Sequence, residues 1–162
     1  NLRRDEFGNS LANRLSFPLN LAKEIRKIWP KNKILGARIT ATDHLSGGIT
    51  LKDSITLIKE LKKIGFDYVC VSSGGILPKT NLKFKKAFRT KLSKKIKKET
   101  SIITRVTGLI TNLKEANKII SENSADLIAI GRTFINDPMW IYKAAKVSKK
   151  NKIIPPQYLR GI

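Results

Sequence analysis

Asp126-Leu-Ile-Ala-Ile-Gly-Arg-Thr-Phe-Ile-Asn-Asp-Pro-Met-Trp140 is a short apolar strand that runs directly into Gly131-Arg132 and then into a Pro-Met-Trp helix start. Glycine at 131 lets a backbone come close to an anion with no Cβ in the way, and the amides of Gly131 and Arg132 can donate to phosphate oxygens. The Arg132 guanidinium adds a charged, bidentate donor. The segment therefore reads as a phosphate grip at a strand end. The alternative is a plain helix-entry turn with a solvated arginine.

Working back from this strand, a second one, Ser101 to Val106, ends in Thr107-Gly108-Leu-Ile-Thr111. Two consecutive strand ends thus offer glycine amides, an arrangement that (β/α)8 barrels place in the loops after their last two strands. Earlier still, Tyr68 to Val71 ends in Ser72-Ser73-Gly74-Gly75, and Ile34 to Ile39 forms a short apolar strand around Arg38. Helical patterns lie between them. Leu19 to Ile28 follows Pro18, a residue favoured in a first turn, and Leu51 to Ile64 stops at Gly65, a C-cap glycine. Lys83 to Lys98 carries Phe84, Phe88, Leu92 and Ile96 every four residues between lysines, which predicts an amphipathic helix with a basic outer face. Leu113 to Ile120 and Trp140 to Val147 complete the set. Four strands alternating with helices mean right-handed βαβ units and a parallel sheet.

A complete (β/α)8 barrel needs about 250 residues and eight strands. The fold expected is therefore α/β, the C-terminal half of a (β/α)8 TIM barrel, strands 5 to 8 with their helices. Residues 1–162 are read as one partial domain, with 151–162 as a C-terminal tail. A doubly wound domain is the structural alternative, but no Gly-x-Gly-x-x-Gly follows any strand, and the phosphate signal sits at the last strand rather than the first.

Composition agrees with a soluble globular chain: 162 residues, 41% apolar, and no run of about 18 apolar residues that would span a membrane. The lone Cys70 excludes an intramolecular disulfide and suits a reducing cytoplasm. A net charge of +21 could mark a polyanion partner. Lysines are spread over many segments together with abundant Asn and Ile, however, and the favoured reading is solvated basic faces with no nucleic-acid partner.

Arg38 speaks through its chemistry alone. Strands of a parallel sheet are covered on both faces, so a guanidinium inside Ile34 to Ile39 is costly unless an anion meets it. That anion is a ligand or a carboxylate on another strand. Ser72 and Ser73 either cap a strand end or face a ligand. His44, the only histidine, lies in a Thr-Asp-His-Leu-Ser-Gly loop and reads as solvated. No metal-ligating cluster is expected.

The ordered set of motifs resembles the Old Yellow Enzyme family of FMN-dependent NAD(P)H oxidoreductases, in its bacterial ene-reductase subclass. Asn1-Leu-Arg-Arg-Asp-Glu-Phe-Gly-Asn-Ser10 with Asn13-Arg14 looks like the family's Asn-x-Arg-x-Asp-x-Tyr-Gly-Gly-Ser loop and Asn-Arg. Ala37-Arg38 to Asp43, Val71 to Gly75, Gly108 to Thr111, Ile130 to Arg132 with Asp137-Pro138, and the tail Pro156 to Gly161 fall in the family's order and spacing. Asn9 departs from the second glycine of that loop, and Thr107 from a small apolar residue. The resemblance implies that Arg38 lies beside the flavin N1/O2 edge and stabilises charge developing there, and that Gly108, Gly131 and Arg132 bind the FMN phosphate. It also implies that Arg160 crosses into a neighbouring subunit to form part of its substrate pocket.

The enzyme so implied takes hydride from NAD(P)H onto FMN and passes it to the β-carbon of a small activated alkene. It is a homo-oligomer when complete. By this register the chain begins near the middle of a family member, so the substrate-binding histidine pair and other catalytic groups would lie before Asn1, and no catalytic residue is assigned within it; on its own the chain would be inactive. Two alternatives stand beside this reading. One is a tRNA dihydrouridine synthase, another FMN barrel with a Gly-Arg phosphate strand, and the other is an inactive remnant or basic binding module.

Overall fold

Parallel strands cannot be joined by a tight turn, so each pair here is bridged by a helix that must bury its apolar stripe on the sheet. The computed structural model describes residues 1–77 and 85–161. Among the described residues, β1 (Gly36–Thr40), β2 (Tyr68–Ser72), β3 (Ile103–Thr107) and β4 (Leu127–Ala129) form one sheet in the order β1-β2-β3-β4, every pair parallel. The helices are α1 (Leu11–Ile28), α2 (Leu51–Ile64), α3 (Thr90–Thr100), α4 (Leu113–Ser121), a five-residue α5 (Arg132–Asn136) and α6 (Trp140–Val147).

Strand order decides between the two architectures. A doubly wound sheet reverses its order at a switch point, whereas this one follows the sequence from edge to edge. It is half of a (β/α)8 barrel. Right-handed crossovers in a sequential sheet put the helices on one face, where Ile39, Val69, Val71 and Ile58 and Ile96 of α2 and α3 join in one buried cluster. Val106, Ile110, Ala116, Ile119 and Ala125 form a second cluster under α4. Among the described residues no helix is long and apolar enough to cross a membrane.

Local chemistry sets several helix ends. The Thr50 hydroxyl accepts from the Asp53 amide while the Asp53 carboxylate accepts from the Thr50 amide, a reciprocal cap for α2, and Gly65 ends that helix at φ 103°. Asn112 caps α4 by accepting from the Glu115 amide at 2.9 Å. α1 differs from expectation. It starts at Leu11 rather than Leu19, because the Ser10 hydroxyl accepts from the Asn13 amide at 3.1 Å, and the helix then runs through Pro18. α3 also begins later than the spacing predicts. Its first residue is Thr90, Phe88 falls in the preceding turn, and Lys83 and Phe84 lie outside the described residues.

The opening loop holds itself together. Arg3 pairs with Asp5, Asn1 donates to the Phe7 carbonyl at 2.7 Å, and Arg14 donates to the Asn9 carbonyl at 2.6 Å. Asn9 adopts φ 60°, the left-handed region that glycine enters freely and asparagine tolerates. Its substitution for the expected glycine is thereby accommodated.

Candidate functional site

Side chains alternate between the two faces of a strand, so the buried outer set leaves Arg38, Cys70, Arg105 and Leu127 on the inner face. These four are successive partners across the sheet. Arg38 and Leu127 are exposed, so the inner face is open rather than covered as expected of a parallel strand. The reason is architectural: in a barrel this face is closed by the opposite strands, and only half of the ring is present.

Arg38 reaches the Ser72 hydroxyl at 3.5 Å, the limit of a hydrogen bond, and pairs with no carboxylate among the described residues. The interstrand ion pair left open by the sequence is therefore not what holds it. Farther along the row, the Arg105 guanidinium lies 5.1 Å above the Tyr68 ring, and its Nε is buried without a partner among the described residues. Hydrogen bonding to Cys70 raises the Arg105 pKa despite partial burial.

Above this row are the C-terminal strand ends and their loops. The loop after β1 is fixed by Asp43, which is buried and accepts from the Ile49 amide at 2.8 Å. His44 is exposed. The two glycines differ in kind. Gly108 has φ 135°, and a Cβ there would stand 3.0 Å from the Phe88 ring and 3.6 Å from Arg89 Cγ. Both conformation and packing require glycine at that position. Gly131 has φ −113° and nothing within 4 Å of a Cβ, so its backbone faces open space that an anion can enter.

α5, which the sequence reading did not anticipate, follows Gly131 directly and carries Arg132 as its exposed first residue. It and the start of α6 are pinned to the preceding loop: Thr133 donates to the Ile110 carbonyl at 3.2 Å, and the Trp140 indole donates to the Thr111 carbonyl at 3.1 Å. Phe134 meets Trp140 edge-on at 5.8 Å. The loops after β3 and β4 are thus one unit.

Arg89 is the site residue that sequence reading missed. It is half-buried just before α3, and it donates from Nε to the Ser73 hydroxyl at 3.1 Å and from Nη2 to the Ser73 carbonyl at 2.8 Å. Burial first, and then the like charges of Arg38 and Arg132 against an opposing pull from Cys70, hold its pKa below the ordinary arginine value. Ser72 and Ser73 each touch an arginine. Three guanidiniums therefore share the strand-end region, and none has a carboxylate partner among the described residues. Arg160 stands apart in the tail, exposed, behind a turn in which Tyr158 stacks on Tyr142 at 5.4 Å.

The profile of the NADH:flavin oxidoreductase / NADH oxidase family matches residues 1–151. The chain belongs to this family. Family members similar to it include an NADPH dehydrogenase of Clostridium acetobutylicum, 35% identical over 99% of this chain and 47% of that protein. Others are the NADPH dehydrogenases of Geobacillus thermodenitrificans and Bacillus subtilis, 34% and 31% identical. The chain spans about half the length of the curated relatives it matches. Among solved structures, a 2-naphthoyl-CoA reductase complex superposes with TM-score 0.79 at 23% identity, over 93% of this chain and 23% of that one. A histamine dehydrogenase from Rhizobium sp. 4-9 superposes with TM-score 0.72 at 17% identity. Both likenesses concern the fold.

FMN and NADPH are the cofactors that the family and its NADPH dehydrogenases imply. The donor set fits the first. A phosphate monoester calls for charge and open backbone amides, and the strand ends present Arg132, Arg89 and the uncovered backbone at Gly131. A flavin edge that gains charge on reduction calls for a cation, and Arg38 has no competing carboxylate among the described residues.

Proposed function

We propose that the chain is the cofactor-holding half of an FMN-dependent NAD(P)H oxidoreductase that reduces activated alkenes. The observation that carries this reading is that three guanidiniums with no carboxylate partner among the described residues share the strand-end region, one of them beside the open backbone of Gly131, in a member of a flavin oxidoreductase family. Residues 1–162 act as one partial domain, and residues 151–162 as its tail.

Bound FMN supplies the carrier of hydride between NAD(P)H and the alkene. This chain's residues do the rest of the cofactor side. Gly131 and Arg132, with the Gly108 loop beneath them, would hold the phosphate, and Arg38 would hold the N1/O2 edge and stabilise negative charge there. The first half of the barrel brings the groups that hold the alkene. A homo-oligomer lets Arg160 reach a neighbouring subunit's pocket, and a reducing cytoplasm suits the buried free thiol of Cys70.

Flavin fluorescence titration tests the reading. The chain alone is expected to bind FMN weakly or not at all, and to gain tight, stoichiometric binding when mixed with the first half of a family barrel. Tight binding by the 162 residues alone removes the half-site interpretation, and no binding by the mixture removes the flavin function.

A further inference from the structure

Arg89 has donors to spare. Its Nε and Nη2 are taken up by Ser73, itself 1% exposed, so the guanidinium plane is fixed. Nη1 makes no hydrogen bond among the described residues. The guanidinium carbon sits 4.3 Å over the Phe88 ring, and the side-chain stem packs at Cγ against Gly108. Arg89 is thereby locked onto the loop that follows β3, within reach of the charges of Arg38 and Arg132. Holding three like charges together, one of them half-buried, is unfavourable unless an anion joins them.

We propose that Arg89 is a third guanidinium of the cofactor-phosphate site, aimed by Ser73 and supported by Phe88 and Gly108 so that it shares the phosphate with Arg132. This inference rests on the FMN reading above and adds to it a charged ligand from the turn before α3. The contact at Gly108 sets which end of the cofactor is met. Arg38 stands on the strand below, in the row with Cys70, while Arg89 stands over the loop between β3 and α4. The contact with Gly108 is what assigns its charge to the phosphate end, while Arg38 is the like charge that acts on it most.

The test compares FMN with riboflavin, which has the same ring and no phosphate, in the complex of this chain with the first half of a family barrel. Arg89→Gln is expected to weaken FMN about tenfold and to leave riboflavin unchanged, the loss of one charge-assisted hydrogen bond. It should also flatten the dependence of FMN affinity on salt. Arg89→Lys should recover part of the loss, and melting without flavin separates binding from folding. Equal weakening of FMN and riboflavin, or no change in FMN affinity where Arg132→Gln does weaken it, overturns the role of Arg89 while leaving the FMN reading intact. A wild-type complex that binds neither flavin removes both.

Discussion

Asp126 ties the beginning of β4 to the beginning of β3 through one residue, Thr104: its Oδ2 accepts from the Thr104 amide at 2.9 Å and from the Thr104 hydroxyl at 3.2 Å. Lys97 of α3 closes the cluster at 2.7 Å. Partial burial works to raise the Asp126 pKa, but the hydrogen bonds from Lys97 and Thr104 prevail and hold it below the ordinary carboxylate value. A carboxyl lowered on folding stabilises the protein above its unfolded pKa of about 3.9, and that contribution is lost as pH falls through the folded value. Urea unfolding followed from about pH 6 down to about pH 3 should show the loss, and Asp126→Asn should reduce the slope. Because the side chain remains partly open to water, the substitution is expected to cost about 1–2 kcal/mol near neutral pH. A variant with unchanged pH dependence would remove Asp126 as the source.

The two strand-end glycines should separate folding from binding. Gly108→Ala introduces a Cβ at φ 135° and 3.0 Å from the Phe88 ring, so about 2–4 kcal/mol of stability should be lost. Gly131→Ala meets open space and should melt at nearly the wild-type temperature, yet weaken FMN in the reconstituted barrel. Differential scanning calorimetry with flavin titration distinguishes them, and equal melting temperatures for the two variants would contradict the geometry.

Arg160→Ala should raise the Michaelis constant for the alkene in the reconstituted enzyme and leave FMN affinity and melting nearly unchanged. The tail is anchored upstream by the Tyr158–Tyr142 stack, so removing the exposed guanidinium disturbs no packing. Unchanged kinetic constants, or a monomeric enzyme with full activity, would take Arg160 out of the pocket.

Open strand edges at β1 and β4, together with exposed Ile103 and Leu127 on the inner face, expose backbone and apolar surface that a closed barrel would cover. Sedimentation of the chain alone should show self-association that the first half-barrel suppresses. A compact monomer with cooperative two-state unfolding would count against this.

Much of the fold could be read because its signals are local. Gly65 after the periodic stretch of α2, and Gly108 after β3, mark boundaries through conformations that few other residues accept. Where the reading slipped, two local signals competed or a distant contact decided. Pro18 looked like a first-turn proline, while Ser10 offered the better cap and started α1 earlier. Phe88 kept the four-residue spacing of an amphipathic helix but belongs to a turn, where its ring covers Gly108. Arg89 was hidden among lysines on what read as a solvated face. Its being the one arginine in Lys83 to Lys98 was the available signal, but its partner Ser73 is reached only through the fold.

The sequential strand order bears on how the chain acquires its structure. Gly36 pairs with Tyr68, Tyr68 with Ile103, and Arg105 with Leu127, so each strand finds its partner in the unit made just before it. Among these four strands, no pairing joins partners that are not consecutive in the chain. Loop closure is then repeated at modest separation instead of being met once over the whole length, which keeps contact order low for a parallel sheet. Each βα unit can dock as it leaves the ribosome.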